Sequence, residues 1–207
     1  IFLAASAIMA EAAQPVPWQM DMQPAASPVM GGIHDFNILL FAVEALITLF
    51  VLGMLGIIIF RFNARRNPVP SKRSHNTVLE IIWTAVPILI LMVIAVPSIK
   101  LLYFLDKTQD AEMTLKVTGH QWYWSYEYPD HGAFTFDSVM IPDDELKPGQ
   151  PRLLAVDNPA VLPVGADIRL LFTSDDVIHS WAVPAFGIKS DTVPGRINEK
   201  WVRIEKE

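Results

Sequence analysis

The chain has 207 residues, of which 52% are hydrophobic and only 18% are charged, against about 25% charged residues in an ordinary soluble domain. This composition excludes an intrinsically disordered chain, because disordered chains are polar and rich in charge. Sixteen basic against 22 acidic side chains give a formal net charge of −6, which argues against a nucleic-acid-binding protein. Cysteine is absent from the sequence, so its residues offer no disulfide, no thiolate metal ligand and no cysteine nucleophile.

The first 34 residues are predicted to precede the membrane-spanning part of the chain. Residues 1–13 are apolar and small, and residues 10–12 match an A-x-A cleavage site, so we interpret them as a signal-peptide remnant. An alanine-rich helix is the alternative. Residues 14–34 are assigned to an extracytoplasmic N-terminal segment, whose Pro, Gly and Met residues up to position 32 predict irregular structure.

Two long apolar stretches predict a transmembrane hairpin over residues 35–105. Residues 38–60 carry a single charge, Glu44, and residues 81–99 carry none. A bilayer core of about 30 Å needs about 20 apolar residues in a helix, so both stretches are long enough. Two buried helices of a soluble protein are the alternative, but such helices rarely stay apolar on every face for this length.

The connection between the two stretches sets their orientation. Residues 61–79 contain no acid and five bases, which are Arg61, Arg65, Arg66, Lys72 and Arg73. The positive-inside rule places this loop in the cytoplasm, so both flanking parts of the chain are predicted to lie outside it. Glu80 opens the second stretch, where it is either a helix N-terminal acid favoured by the helix dipole or a carboxylate that handles protons at the cytoplasmic face.

Residues 106–207 are predicted to form an acidic, all-β outer domain. They hold 17 acidic and 10 basic residues, a net charge of −7, which favours either a basic partner or simple solubility. Alternating apolar residues separated by prolines and Asp/Asn clusters predict short strands of a sandwich or barrel. The alternating segments are residues 113–117, 121–128, 133–139, 168–172 and 201–204.

Residues 119–128 concentrate aromatic side chains in the sequence GHQWYWSYEY. In a regular strand, Trp122, Trp124, Tyr126 and Tyr128 would share one face. Two interpretations stay open from composition: a core strand with an aromatic edge, or an exposed aromatic surface for contact or electron transfer.

A second segment, residues 173–184 with the sequence TSDDVIHSWAVP, places Asp176 three residues before His179. A single His at a strand end is more often structural than a ligand, but Asp176 is placed to orient a metal-bound imidazole by a hydrogen bond. The five histidines form no H-x₃₋₅-H pair, so a zinc site of that type is not predicted.

These motifs together resemble subunit II of the haem-copper cytochrome c oxidases, from about residue 15 to the last residue. The match rests on GHQWYWSYEYP, on DDVIHSWAVPAFGIKSDTVPGR and on LEIIWTAVP at residues 79–87. The resemblance implies a two-helix transmembrane hairpin followed by a cupredoxin-like domain that is incomplete at its C-terminus. It also implies a bacterial inner-membrane location, with both termini and the β domain on the periplasmic side.

The resemblance further implies roles for individual residues. His179 matches a ligand of the binuclear copper A centre, and Trp122 matches the tryptophan through which electrons enter. Glu127, Asp137 and Asp176 match acids that dock cytochrome c or lie near the copper, and Glu80 matches a glutamate at the mouth of a proton path. The implied partners are cytochrome c, oxidase subunits I and III and the lipid bilayer.

The sequence departs from the family at the copper ligands. No His, Cys or Met follows His179, whereas the family places two bridging cysteines, a second His and a Met further along. We therefore expect a fragment truncated at both ends, with the remaining ligands beyond residue 207, in which copper A does not assemble. The alternatives are the quinol-oxidase relative, whose subunit II lacks copper A, and a membrane-tethered scaffold without enzymatic function.

Overall fold

The computed structural model describes residues 14–106 and 110–206, so the predicted signal-peptide remnant lies outside the described residues. Contacts divide the described residues into two units: residues 34–102 form one, and the described residues on either side of that stretch form the other. The helices are α1, Pro28–Arg61, and α2, Thr77–Asp106. The strands are β1, Met113–His120; β2, Tyr123–Tyr128; β3, Phe134–Ser138; β4, Asp167–Ser174; β5, His179–Val183; β6, Ile188–Thr192; and β7, Asn198–Arg203.

Helix α1 begins at Pro28, so the prediction of irregular structure up to residue 32 is wrong for its last five positions. The Ser27 hydroxyl oxygen accepts a hydrogen bond from the amide of Met30 at 3.0 Å, which makes Ser27 the N-cap of the helix. Pro28 occupies the first helical position, where its missing N–H costs nothing. The serine–proline pair was the sequence signal for this helix start.

Both helices are long and apolar enough to cross a membrane, with 34 and 30 residues. Helix α1 ends in a turn held by Asn63, whose side-chain oxygen accepts from the amides of Arg65 and Arg66 at 3.1 Å each. Asn76 caps α2 by accepting from the amides of Val78 and Leu79 at 3.1 and 3.3 Å. The predicted two-helix hairpin with a polar, basic connection is therefore present.

The β domain consists of a five-stranded sheet in the order β3-β2-β1-β4-β7 and a two-stranded sheet of β5 and β6. Strands β1 and β4 pair in parallel, whereas the other neighbours are antiparallel. Alternate side chains of β1 and β4 are buried, as the period of two predicted. The fully buried side chains of this core are Leu115, Val117, Ile168, Leu170, Phe172 and Val202.

The aromatic segment does not form one continuous strand. Strand β2 begins only at Tyr123, and Trp122 lies in the turn that joins β1 to β2. Tyr126 and Tyr128 are buried in the core, and Trp124 packs against it, but Trp122 is 85% exposed. The expectation that Trp122 shares their face is wrong because a two-residue turn interrupts the alternation at this position.

Residues before α1 pack on the β domain. The Ala26 amide donates to the Ala185 carbonyl at 2.9 Å, and the Ala26 carbonyl accepts from the Glu205 amide at 2.9 Å. The Ser27 hydroxyl donates to the Phe186 carbonyl at 2.8 Å. These three hydrogen bonds join the segment to the β domain, and Val29 in the first turn of α1 is 1% exposed.

Candidate functional site: an exposed tryptophan joined to a half-buried histidine

The tip of the β1–β2 hairpin carries an exposed tryptophan. His120 pairs with Tyr123 in the antiparallel register, which leaves Gln121 and Trp122 as the two turn residues. The Gln121 amide donates to Asp176 Oδ2 at 2.8 Å. The turn is therefore held to the loop between β4 and β5 while the Trp122 indole faces solvent.

The second oxygen of Asp176 faces the His179 ring. Asp176 Oδ1 accepts from His179 Nε2 at 2.7 Å and from the Val177 amide at 2.6 Å. These hydrogen bonds, that of His179 first, hold the pKa of Asp176 well below its usual range, because each stabilises the charged carboxylate. The sequence anticipated this carboxylate–imidazole pair, and the structure adds that the same carboxylate also holds the Trp122 turn.

The His179 ring lies in a narrow space between strands. His179 opens β5, with its ring edge-on to Trp124 at a centroid distance of 6.0 Å. A Cβ on Gly119 would lie 2.9 Å from His179 Cδ2 and 2.9 Å from Thr192 Oγ1. Only glycine leaves room for the imidazole here, which explains why the aromatic segment is preceded by Gly119.

The donor set present does not by itself fit a binuclear copper centre. Asp176 binds Nε2 of His179, and no described residue hydrogen-bonds Nδ1, so this imidazole is oriented as a metal-binding His usually is. Soft copper ions that share charge need thiolate bridges, and the sequence contains no cysteine. Within residues 14–106 and 110–206, no three His, Cys, Asp or Glu side chains are grouped so that they could hold a metal.

The other two predicted docking acids lie on the solvent-facing side of the five-stranded sheet. Glu127 Oε2 accepts from Lys116 Nζ at 2.9 Å, and Asp137 Oδ1 accepts from the Ser125 hydroxyl at 2.6 Å. Asp137 and Ser125 are directly paired across β2 and β3. Glu127 is thus partly neutralised by a lysine, whereas Asp137 is part of a hydrogen-bonded network next to the hairpin.

Sequence reasoning missed three members of this network: His120, Ser125 and Asp175. His120 Nε2 lies 2.8 Å from Ser125 Oγ, and His120 Nδ1 lies 3.6 Å from Asp175 Oδ2. Register across the hairpin was the available signal for His120 and Ser125. Asp175 comes from a loop 55 residues further on than His120, and nothing local predicts that approach.

Glu80 belongs to the unit formed by residues 34–102, where it lies in the first turn of α2. Its amide donates to the Asn76 carbonyl at 3.0 Å, and its carbonyl accepts from the Thr84 hydroxyl at 2.8 Å. The carboxylate is half-buried, in a position where the helix dipole stabilises negative charge.

Both parts of the chain match a known family. Residues 113–207 match the cytochrome c oxidase subunit II periplasmic domain, and residues 15–101 match the transmembrane domain of the same subunit. The second match identifies the two apolar helices as the two membrane spans. It confirms the predicted architecture of a two-helix hairpin followed by a β domain.

Individual proteins that are similar to this chain carry the same family name. A probable cytochrome c oxidase subunit 2 of Rickettsia bellii is 54% identical over 95% of this chain and 73% of its own length. A second from Rickettsia felis is 54% identical, and the chain spans 62% of its length. The subunit 2 of Oenothera berteroana is 49% identical over 92% of the chain and 76% of its own length.

Among solved structures, the periplasmic domain of subunit II (CoxB) of Bradyrhizobium japonicum is 53% identical. It covers 48% of this chain and 69% of its own, with a TM-score of 0.45. The family rests on the sequence matches, which extend over both the membrane spans and the β domain. Because of those matches, the chain belongs to the cytochrome c oxidase subunit II family.

Proposed function

We propose that this chain is the electron-accepting part of subunit II of a cytochrome c oxidase. It takes electrons from cytochrome c and passes them towards haem in subunit I, where oxygen is reduced to water with proton pumping. The observation that carries the proposal is the continuous connection from Trp122 to His179. An exposed indole is followed by the Gln121 amide, the Asp176 carboxylate and the imidazole, with hydrogen bonds of 2.8 and 2.7 Å.

His179 is proposed as one ligand of copper A in the complete protein. The curated relatives are longer than the stretch they share with this chain, and a copper A centre needs thiolates that these residues lack. Thr192 Oγ1 is buried beside the imidazole without a hydrogen-bond partner among the described residues. The proposed role of this chain's own residues is to orient the ring and to exclude water from it.

The acidic outer domain supports docking of a basic cytochrome. Carboxylates of Asp137, Asp175 and Asp176 lie around the Trp122 hairpin, with Glu127 further along β2. A surface of one sign accelerates encounter with a partner of the other sign, most strongly at low ionic strength. Electron acceptance at Trp122 and encounter on the carboxylates are therefore separable steps.

Stopped-flow reduction of the complete oxidase by cytochrome c tests the role of Trp122. Trp122→Phe is expected to slow electron transfer within the docked complex far more than it weakens docking. Trp18→Phe is the matched control, because Trp18 is 97% exposed and lies in the N-terminal segment. An unchanged rate of electron transfer in Trp122→Phe contradicts the proposal. An oxidase that is reduced by quinol but not by cytochrome c would instead favour the quinol-oxidase relative, whose subunit II lacks copper A.

We further propose a bacterial inner membrane as the location, with the β domain on the periplasmic side and subunits I and III as neighbours. The basic connection between α1 and α2 supports this orientation. Single cysteines at exposed positions test it on a chain without native thiols: an impermeant maleimide should label Asp144→Cys in intact spheroplasts. Ser74→Cys should be labelled only after permeabilisation, and the reverse pattern overturns the orientation.

Glu80 is proposed as the proton-path residue at the cytoplasmic start of α2. Its half-buried side chain lies at the helix N-terminus. Ionisable side chains in membrane helices are energetically costly and therefore rare, so each is a candidate for a functional role. Glu80→Gln is expected to lower proton uptake in the complete oxidase while cytochrome c reduction of the enzyme is unchanged. Glu44→Gln, within α1, is the control, and equal effects of the two substitutions contradict a special role for Glu80.

A further inference from the structure

His120 lies at the base of the Trp122 hairpin and is a polar side chain to which the proposed function assigns no role. Its side chain is 16% exposed and stacks on Tyr123 with a centroid distance of 4.5 Å. One ring nitrogen approaches Ser125 on β2, and the other approaches Asp175 on the β4–β5 loop. The imidazole therefore bridges two elements on either side of the exposed tryptophan.

The direction of the hydrogen bonds fixes where the proton of the neutral ring lies. The Ser125 hydroxyl donates its only hydrogen to Asp137 Oδ1 at 2.6 Å, because an ionised carboxylate can only accept. The 2.8 Å contact between Ser125 Oγ and His120 Nε2 then requires Nε2–H to be the donor. Neutral His120 is consequently protonated on Nε2 and bare on Nδ1.

Bare Nδ1 faces another acceptor. Asp175 Oδ2 lies 3.6 Å away, too far for a hydrogen bond and with no proton between the two atoms. Uptake of a proton at Nδ1 would create a charge-assisted N–H···O bond and draw Asp175 inward. Asp175 is 68% exposed on the side chain, so its carboxylate can move without disturbing the core.

We propose that His120 is a positioning residue of the docking surface, whose protonation at Nδ1 closes Asp175 onto the imidazole and weakens binding of a basic redox protein. This inference rests on the proposed function. The titratable groups that face the ring are Asp175 from the β4–β5 loop, Asp137 from β3 through Ser125, and Tyr123 from β2. Histidine is the side chain whose charge ordinarily changes between about pH 5 and pH 8, which sets the pH range over which the effect is tested.

The effect on docking has a definite sign. Protonation adds one positive charge beside carboxylates that attract a basic partner, so the association rate constant should fall as the pH is lowered. A single charge about 7 Å from a partner charge in water corresponds to a change of about twofold to threefold. High salt should remove the effect, because the Debye length shrinks to about 3 Å at 1 M.

Stopped-flow association of a basic cytochrome c with the complete oxidase, at low ionic strength between about pH 8 and pH 5.5, measures this change. The parent enzyme should lose about twofold to threefold more association rate than His120→Gln over the range. His131→Gln is the matched control, because His131 follows β2 at the end opposite the hairpin, and it should behave as the parent. Equal pH profiles for the parent and His120→Gln overturn the inference.

Nitrogen-15 NMR of the histidine rings in the 207-residue chain tests the proton position without any electron donor. Neutral His120 should show the Nε2–H tautomer, whereas Ser125→Ala, which removes the hydroxyl that accepts from Nε2–H, should let the Nδ1–H tautomer appear. An Nδ1–H tautomer in the parent chain, or a tautomer indifferent to Ser125→Ala, overturns the inference. If both NMR expectations hold but cytochrome c does not reduce the oxidase, the proposed function is wrong. The hydrogen-bond arrangement inferred around His120 is then still correct.

Discussion

Replacing Gly119 by alanine is the sharpest test of how the β domain holds the His179 ring. The added Cβ would lie 2.9 Å from His179 Cδ2, 2.9 Å from Thr192 Oγ1 and 3.1 Å from His179 Cγ, whereas ordinary contacts begin at 3.4 Å. Gly119 has no positive φ, so backbone strain does not contribute. The substitution therefore probes the space shared by the imidazole and the Thr192 hydroxyl.

The loss of stability in Gly119→Ala depends on how far the neighbours of the new Cβ can move. The His179 ring is tied to Asp176 Oδ1 at 2.7 Å, and Thr192 is completely buried, so neither neighbour retreats freely. Overpacking of this kind costs about 1–3 kcal/mol. In a domain of about 100 residues each kcal/mol lowers the melting temperature by about 4–8 °C, which gives an expected loss of roughly 5–20 °C.

Thermal unfolding of the detergent-solubilised chain, followed by tryptophan fluorescence, measures this loss. Gly31→Ala is the matched control, since a Cβ at Gly31 meets nothing within 4 Å and alanine favours a helix. A Gly119→Ala variant that melts with the parent would refute the reasoning. So would a structure of that variant in which the His179–Asp176 hydrogen bond is unchanged.

Three further substitutions test the packing of the β domain by the same measurement. Tyr126→Phe removes the acceptor of the buried Trp181 Nε1–H at 3.1 Å and should lower the free energy of unfolding by about 1–3 kcal/mol. Burial also raises the pKa of Tyr126 above 10.0, so the parent should lose stability as the pH rises through about 10 and beyond. The Tyr126→Phe variant should lack this loss at high pH. Thr192→Val replaces a fully buried hydroxyl that has no partner among the described residues and should raise stability by about 1 kcal/mol; a lower melting temperature would show that the hydroxyl is satisfied. Ser27→Ala removes both the cap of α1 and the bond to Phe186 and should cost about 1–2 kcal/mol, whereas Ser74→Ala, in the exposed connection, should cost nothing.

The sequence was sufficient for the membrane spans and most of the sheet, because their signals are local. Apolar length predicted both helices, and alternation predicted β1, β2, β3, β4 and β7 to within a few residues. Strands β5 and β6 were not predicted, because each is only five residues long and the segment between them contains Pro184 and Gly187. Helix α1 begins at Pro28, within the segment predicted to be irregular up to residue 32, because Ser27 caps it and Pro28 fits its first position. In the sequence, the surrounding prolines and methionines outweighed this signal and favoured irregular structure.

The site was predictable only where its residues are neighbours in the sequence. Asp176 and His179 are three residues apart, so their hydrogen bond could be anticipated. The bond from Gln121 to Asp176 spans 55 residues and depends on the parallel pairing of β1 with β4, which no local pattern encodes. The exposure of Trp122 likewise depends on where the hairpin turns, and composition left both a core strand and an exposed aromatic surface open.

The bond between Ser27 and Phe186 has a consequence for the order in which the chain can fold. It joins residues 159 positions apart, and contacts of such separation form late because the intervening loop must first be closed. A ribosome releases Ser27 long before Phe186 exists, so the segment ahead of α1 must wait for its partner while the rest of the protein is synthesised. The segment ahead of α1 is thus synthesised before its partners in the β domain, and its hydrogen bonds to Phe186 and Glu205 can form only after those residues have been made.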